Sequence, residues 1–149
     1  MKTSPKAVEM IATFEGFISK PYLDLVGIPT IGHGFTFYPK TKKRVLLTDP
    51  PITVEESLLI LADMLLQFEN GVKLAVQKPI NQNQFDALVS FSYNVGISAF
   101  KNSTLLKKLN VNPNDKSIRN EFLRWNKAGG RVFQGLTNRR QKEADLYFS

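Results

Sequence analysis

The chain has 149 residues, 42% of them hydrophobic and 22% charged, and its 20 Lys and Arg against 13 Asp and Glu leave a net charge of +7. That balance fits one packed domain, or one large lobe carrying a small one, and excludes a disordered or fibrous chain. With no cysteine and with His33 as the sole histidine, disulfides, thiol catalysis and Cys- or His-based metal centres are excluded, so neither a metal nor a cofactor is expected.

The N-terminus, Met1-Lys2-Thr3-Ser4-Pro5-Lys6, leads straight into a mixed amphipathic segment. No secretory signal and no apolar run of about 18 residues is present, so synthesis in the cytoplasm without a transmembrane segment is expected. Ser4 and Pro5 form a helix start. Val8, Ile11, Ala12 and Glu15 then share one face, which places the Glu15 carboxyl where an apolar stripe predicts burial, and Gly16 is a helix stop. A helix is therefore expected over 4–16.

From Tyr22 to Phe37 short runs are cut by Gly27, Pro29, Gly32 and Gly34, the mark of strands and tight turns. A small β-hairpin, extending to three strands, is expected within a lobe of about 17–52. Lys40 to Arg44 make a cationic loop, and Asp49-Pro50-Pro51 ends the region.

Thr53 and Glu56 are spaced as a capping box, and Leu58, Leu61, Ala62, Leu65, Phe68, Val72 and Val76 continue at helical spacing. A helix over 53–77 is expected to connect the two lobes, with Asn70-Gly71 as its weak point. A second capping pattern at Asn81-Gln82-Asn83-Gln84 opens a helix that ends at Asn94-Val95-Gly96. Shorter helices are expected at 98–100, 103–109, 116–126 and 138–147, with Gly129-Gly130 and Gly135 in turns. These, together with the N-terminal helix over 4–16, form a helical lobe over 79–149.

Three side chains near the hairpin carry a possible chemistry. Cleaving a glycosidic bond needs a proton for the departing oxygen and, on the opposite face of the sugar, a nucleophile or a base for water. Glu15, at the end of an apolar stripe, suits the protonated role, because desolvation disfavours the charged form. Asp24, on a wetter strand, suits the ionised one, and Thr30 is placed to orient a water. A buried Glu is also commonly an ion-pair or capping partner, and spacing alone leaves both readings open.

The motifs Glu15-Gly16, Tyr22-Leu23-Asp24, Gly27 and Thr30-Ile31-Gly32-His33-Gly34 resemble the Glu, Asp, Thr signature of the phage-type lysozymes, the endolysin muramidases of glycoside hydrolase family 24. The likeness continues through Gln84 to Phe91, Asn94-Val95-Gly96, Ser103 to Leu106, Arg124-Trp125, Ala128-Gly129-Gly130 and Gly135 to Arg140. It implies an α+β, mostly helical, bilobed lysozyme-like fold: a small N-terminal hairpin lobe, a long connecting helix and a helical C-terminal lobe.

The resemblance also implies Glu15 as general acid, Asp24 as base or stabilising carboxylate, and Thr30 as the residue that positions water. The bond would be the β-1,4 link between N-acetylmuramic acid and N-acetylglucosamine in peptidoglycan. Tyr22, Gly32, His33, Asn94, Arg124 and Arg139 are the substrate-binding candidates. The chain departs from the family order at Gly32-His33-Gly34-Phe35, where relatives carry Gly, aromatic, Gly, His.

A further implication is action on the cell wall after release through a holin-type membrane lesion, as a monomer. The rival reading is a non-catalytic peptidoglycan-binding module of the same fold. No nucleic-acid partner is expected, since no DNA-reading motif accompanies the positive charge.

Overall fold

In chain order the elements are α1 (Pro5–Glu15), β1 (Ile18–Leu23), β2 (Pro29–Gly32), α2 (Val54–Ala75), α3 (Gln82–Val95), α4 (Ile97–Lys101), α5 (Thr104–Val111), α6 (Ile118–Leu123), β3 (Lys127–Ala128), β4 (Arg131–Val132) and α7 (Gln134–Tyr147). They are drawn from a computed structural model that describes residues 1–149. The chain forms two compact units: residues 5–66, the hairpin unit, and residues 1–4 with 67–149, the helical unit. Helix α1 clusters with the hairpin, and α2 contributes residues to each unit.

In the hairpin unit, Ala7, Ile11 and Ala12 of α1 are buried together with Ile31, Phe35, Val45, Leu61, Met64 and Leu65. Gly16, at φ 74°, donates its amide to the Ala12 carbonyl and closes the helix just beyond Glu15. β1 and β2 pair antiparallel with Ile18 opposite Gly32, Tyr22 opposite Thr30 and Leu23 opposite Pro29. The ladder is irregular between Ile18 and Tyr22, where Pro21 has no amide to donate. No third strand joins this sheet. Beyond β2 the chain makes only isolated bridges, Ile31 with Phe35 and Phe37 with Arg44, because it turns back too tightly to extend a ladder.

The capping box at α2 forms as its spacing predicts, the Glu56 amide donating to Thr53 Oγ1 and the Thr53 amide to Glu56 Oε1. The expected weak point at Asn70-Gly71 does not break the helix. A Cβ on Gly71 would collide with the Ile97 side chain, so this glycine serves close packing of α2 against the start of α4.

The helical unit is built on α3, which is buried continuously from Gln84 to Ser92. Such a helix carries polar groups into the interior: the side chains of Gln84, Asp86 and Ser90 are hydrogen-bonded, whereas Ser92 Oγ has no hydrogen-bond partner. Asp86 accepts from the Ser4 amide and hydroxyl at 3.0 and 2.6 Å and from Gln82 Nε2 at 2.7 Å. The Phe91 ring meets those of Phe122 and Trp125 edge-on at 5.5 and 5.6 Å, contacts worth about 0.5–1.5 kcal/mol each beyond area burial. Ile118 and Phe122 are fully buried. Gly135, expected in a turn, lies inside α7, which starts at Gln134. The Gly129-Gly130 turn instead joins β3 to β4 in a small hairpin that short-range periodicity does not reveal.

Candidate functional site

Glu15, Tyr22, Asp24, Thr30, Gly32 and His33 all fall in the hairpin unit, whereas Asn94, Arg124 and Arg139 fall in the helical unit. Glu15 is the last residue of α1 and is half-buried. Its Oε1 lies 3.9 Å from where a Cβ on Gly34 would stand, so the carboxyl rests against the turn that follows β2.

Asp24 begins the connection between the strands. Its Oδ1 accepts the amides of Val26 and Ile28, each at 2.9 Å, while its own amide donates to the Ile28 carbonyl at 3.0 Å. An Asx turn of this kind fixes one carboxyl oxygen. Thr30 is 3% exposed and donates its hydroxyl to the Ile28 carbonyl at 2.8 Å. Since Ile28 bonds both residues, the Asp24 carboxyl and the Thr30 hydroxyl are anchored to one backbone unit. Tyr22 sits directly opposite Thr30 in the ladder, and residues paired in this way present their side chains on one face.

His33 is buried, 4% exposed, between Phe17 and Phe35 at ring-centroid distances of 5.1 and 6.3 Å. Its amide donates to Ser57 Oγ at 3.1 Å, and its Nδ1 lies 2.6 Å from the same oxygen. Burial pushes the imidazole below its ordinary value, and the nearby Glu15 charge opposes that shift.

Gly32, a substrate-binding candidate, is buried. At φ 65° it is packed so that an added Cβ would lie 2.5 Å from Ser57 Oγ and 2.9 Å from Ile52 Cδ1. It allows β2 to approach α2 closely.

In the helical unit Asn94 is exposed near the end of α3, with its Oδ1 accepting from Arg140 Nη2 at 2.9 Å. Arg124 is exposed, its Nε 3.6 Å from Glu121 Oε1. Arg139 is 4% exposed, and its guanidinium donates to Glu143 Oε2 at 3.2 Å and to the Ser90 carbonyl at 3.1 Å. Arg139, a substrate-binding candidate, is held in the interior, where Glu143 is itself fully buried and needs cationic partners.

One residue of consequence, Ser57, escapes a reading of the sequence. Ser57 holds His33, although its place one helical turn before Leu61 on the buried face of α2 is a signal that was available. Arg140 and Glu143, both fully buried, hold Asn94, Arg140 directly and Glu143 through Arg140. Arg140 Nε makes an ion-pair contact with Glu143 Oε1 at 2.7 Å, outside hydrogen-bond geometry, and the guanidinium carbon stands 5.1 Å from the centre of the Phe91 ring. Burial pushes the Glu143 carboxyl up, against the pull of both guanidiniums.

A family model described as phage lysozyme matches residues 12–143. The chain is 40% identical to the endolysin of Bacillus phage PZA, covering all of this chain and 56% of that protein. It spans about half the length of that relative and of the similar endolysin of Bacillus phage B103. Against the endolysin of Salmonella phage P22 the identity is 38%, over the whole of this chain and 99% of the relative. In three dimensions it superposes on an endolysin from Escherichia coli O157:H7 phage FAHEc1 with a TM-score of 0.90 at 37% identity, covering 100% of this chain and 94% of the other.

Proposed function

The chain belongs to the phage lysozyme family, and from that premise we propose that it hydrolyses the β-1,4 bond between N-acetylmuramic acid and N-acetylglucosamine in peptidoglycan. The observation that carries this reading is the meeting of α1 with the hairpin: the Glu15 carboxyl lies against the Gly34 turn of the same hairpin that holds Asp24 and Thr30.

In this reading Glu15 gives its proton to the glycosidic oxygen as the bond to the anomeric carbon breaks. A water oxygen adds to that carbon, and Asp24 receives the water proton or stabilises the positive charge that develops. The Thr30 hydroxyl, whose hydrogen is engaged by the Ile28 carbonyl, offers its lone pairs to the water. Tyr22, on the same face of the hairpin as Thr30, packs on a sugar ring. Asn94, its amide oriented by Arg140, and the exposed Arg124 contact the acetamido and carboxylate groups of the polymer. His33 acts through its neighbours in the turn. No helix is long and apolar enough to cross a membrane, and release to the wall through a lesion made by another protein is part of the proposal.

Mass spectrometry of products from purified peptidoglycan tests it. Reducing-end muramic acid is expected. Anhydro-muramic acid would identify a lytic transglycosylase, freed peptides an amidase, and unchanged glycan that still retains the protein a binding module.

A further inference from the structure

Within the hairpin unit, the segment after Phe35 brings together a tight cationic turn, exposed leucines and a cavity that the lytic chemistry does not use. The Tyr38 amide donates to the Lys43 carbonyl at 2.9 Å and the Lys42 amide to the Tyr38 carbonyl at 2.7 Å, with Lys42 at φ 60°. These bonds close the turn and display Lys40, Lys42, Lys43 and Arg44, all exposed. Next along the chain, Leu46 and Leu47 are 57% and 52% exposed, and Leu59 of α2 is 70% exposed. Tyr38, Pro39, Ile52, Leu59 and Ile60 line an open cavity of about 470 Å³ at the base of the turn.

The two carboxylates of the cavity wall do not cancel this charge. Asp49 Oδ2 accepts from the Tyr38 hydroxyl at 2.8 Å and from the Leu46 amide at 2.9 Å, and so serves to shape the turn. Asp63 faces Lys40 at 3.8 Å, with the lysine side chain 83% exposed. A pair as open as that is weak and screened by salt, and the ammonium is free to turn to another anion.

We propose that the turn from Tyr38 to Arg44, with Leu46, Leu47, Leu59 and the cavity beside them, is a docking surface for anionic phospholipid bilayers. Charge complementarity selects the occupant. Four cations meet the phosphates of the headgroups, while the leucines and the apolar cavity take the glycerol and upper acyl region, as interfacial segments do. A soluble polyanion would use the cations alone and leave the leucines in water, and a purely apolar partner would leave the cations unmatched. The inference is independent of the lytic reading, since vesicles contain no glycan to cleave.

The absence of cysteine gives a clean experiment. Single variants Leu47→Cys, Leu59→Cys and, in the helical unit, Val111→Cys are labelled with an environment-sensitive fluorophore. They are then mixed with phosphatidylcholine vesicles with and without phosphatidylglycerol. Val111 is 79% exposed and is the control. Labels at 47 and 59 are expected to shift to the blue only with phosphatidylglycerol, and the label at 111 to stay unchanged.

Unlabelled Lys42→Ser and Lys43→Ser are each expected to lower partitioning into phosphatidylglycerol vesicles roughly fivefold. Leu46→Ser with Leu59→Ser is expected to lower it further without altering the circular dichroism of the protein. An equal response with neutral vesicles, a response at 111 as large as at 59, or salt-sensitive binding with no shift at 47 and 59 would overturn the proposal. The last outcome would mark simple attraction to polyanions.

Discussion

His33 and Ser57 share one oxygen: the serine Oγ stands 3.1 Å from the His33 amide nitrogen and 2.6 Å from its Nδ1. Both residues are buried, so neither polar group of His33 has water as an alternative partner. Ser57→Ala is expected to cost about 1–3 kcal/mol, the scale for orphaning a buried donor or acceptor, read from the midpoint of urea unfolding. The same pair sets a pH dependence. Burial lowers the His33 pKa in the folded protein below its ordinary 6.5. Above that value the imidazole is neutral in both states and stability is unaffected. As pH falls through it the unfolded chain takes the proton first, so stability declines until the folded pKa is reached. His33→Gln is expected to flatten that part of the stability profile; an unchanged slope would remove His33 as its source.

Glu15→Gln keeps the size of the side chain but cannot donate a carboxyl proton. Activity on peptidoglycan is expected to fall by two or more orders of magnitude, about the scale of general acid catalysis, with circular dichroism and unfolding midpoint retained. Activity near that of the parent would exclude the proposed acid.

Asp24 has separable duties. Its Oδ1 accepts two loop amides, a task that an amide oxygen can also perform. Asp24→Asn is therefore expected to abolish turnover while leaving stability nearly unchanged. Asp24→Ala is expected to abolish turnover and also to cost about 1–2 kcal/mol from the two lost hydrogen bonds. Thermal unfolding distinguishes the two variants.

Gly32 combines a left-handed backbone with contact against α2. Gly32→Ala is expected to destabilise by about 2–4 kcal/mol, backbone strain adding to overpacking against Ser57 and Ile52. Gly27→Ala has only the backbone cost, since nothing lies within 4 Å of its Cβ position. The comparison isolates the packing part.

Glu143→Ala leaves Arg139 and Arg140 buried without their carboxylate. A loss of about 3–5 kcal/mol is expected, as for breaking a buried ion pair from one side. Because Arg140 also bonds Asn94, the variant Asn94→Ala should cost far less stability, and a similar cost for the two would show that Asn94 is structural.

What the sequence by itself determined is local. Capping boxes at Thr53 and Asn81 form as their spacing predicts, because a cap joins residues three apart and needs no other part of the fold. The placing of Glu15 at a helix end and of Asp24 and Thr30 around one hairpin follows from periodicity and from Gly16, Gly27 and Pro29. Short-range signals misread Gly135, which lies inside α7. Intrinsic glycine preference was overridden at Gly71 by packing against Ile97.

Only the tertiary structure decided which distant groups meet. Ser57 lies 24 positions from His33, Ser90 49 from Arg139, and Asn94 46 from Arg140. Such partners are chosen by how whole elements pack, and by the cost of leaving a buried polar group unmatched. That is why Arg139 proved to be an interior cation. It is also why the carboxyl of Glu15 could be placed against Gly34 only once α1 and the hairpin were seen together.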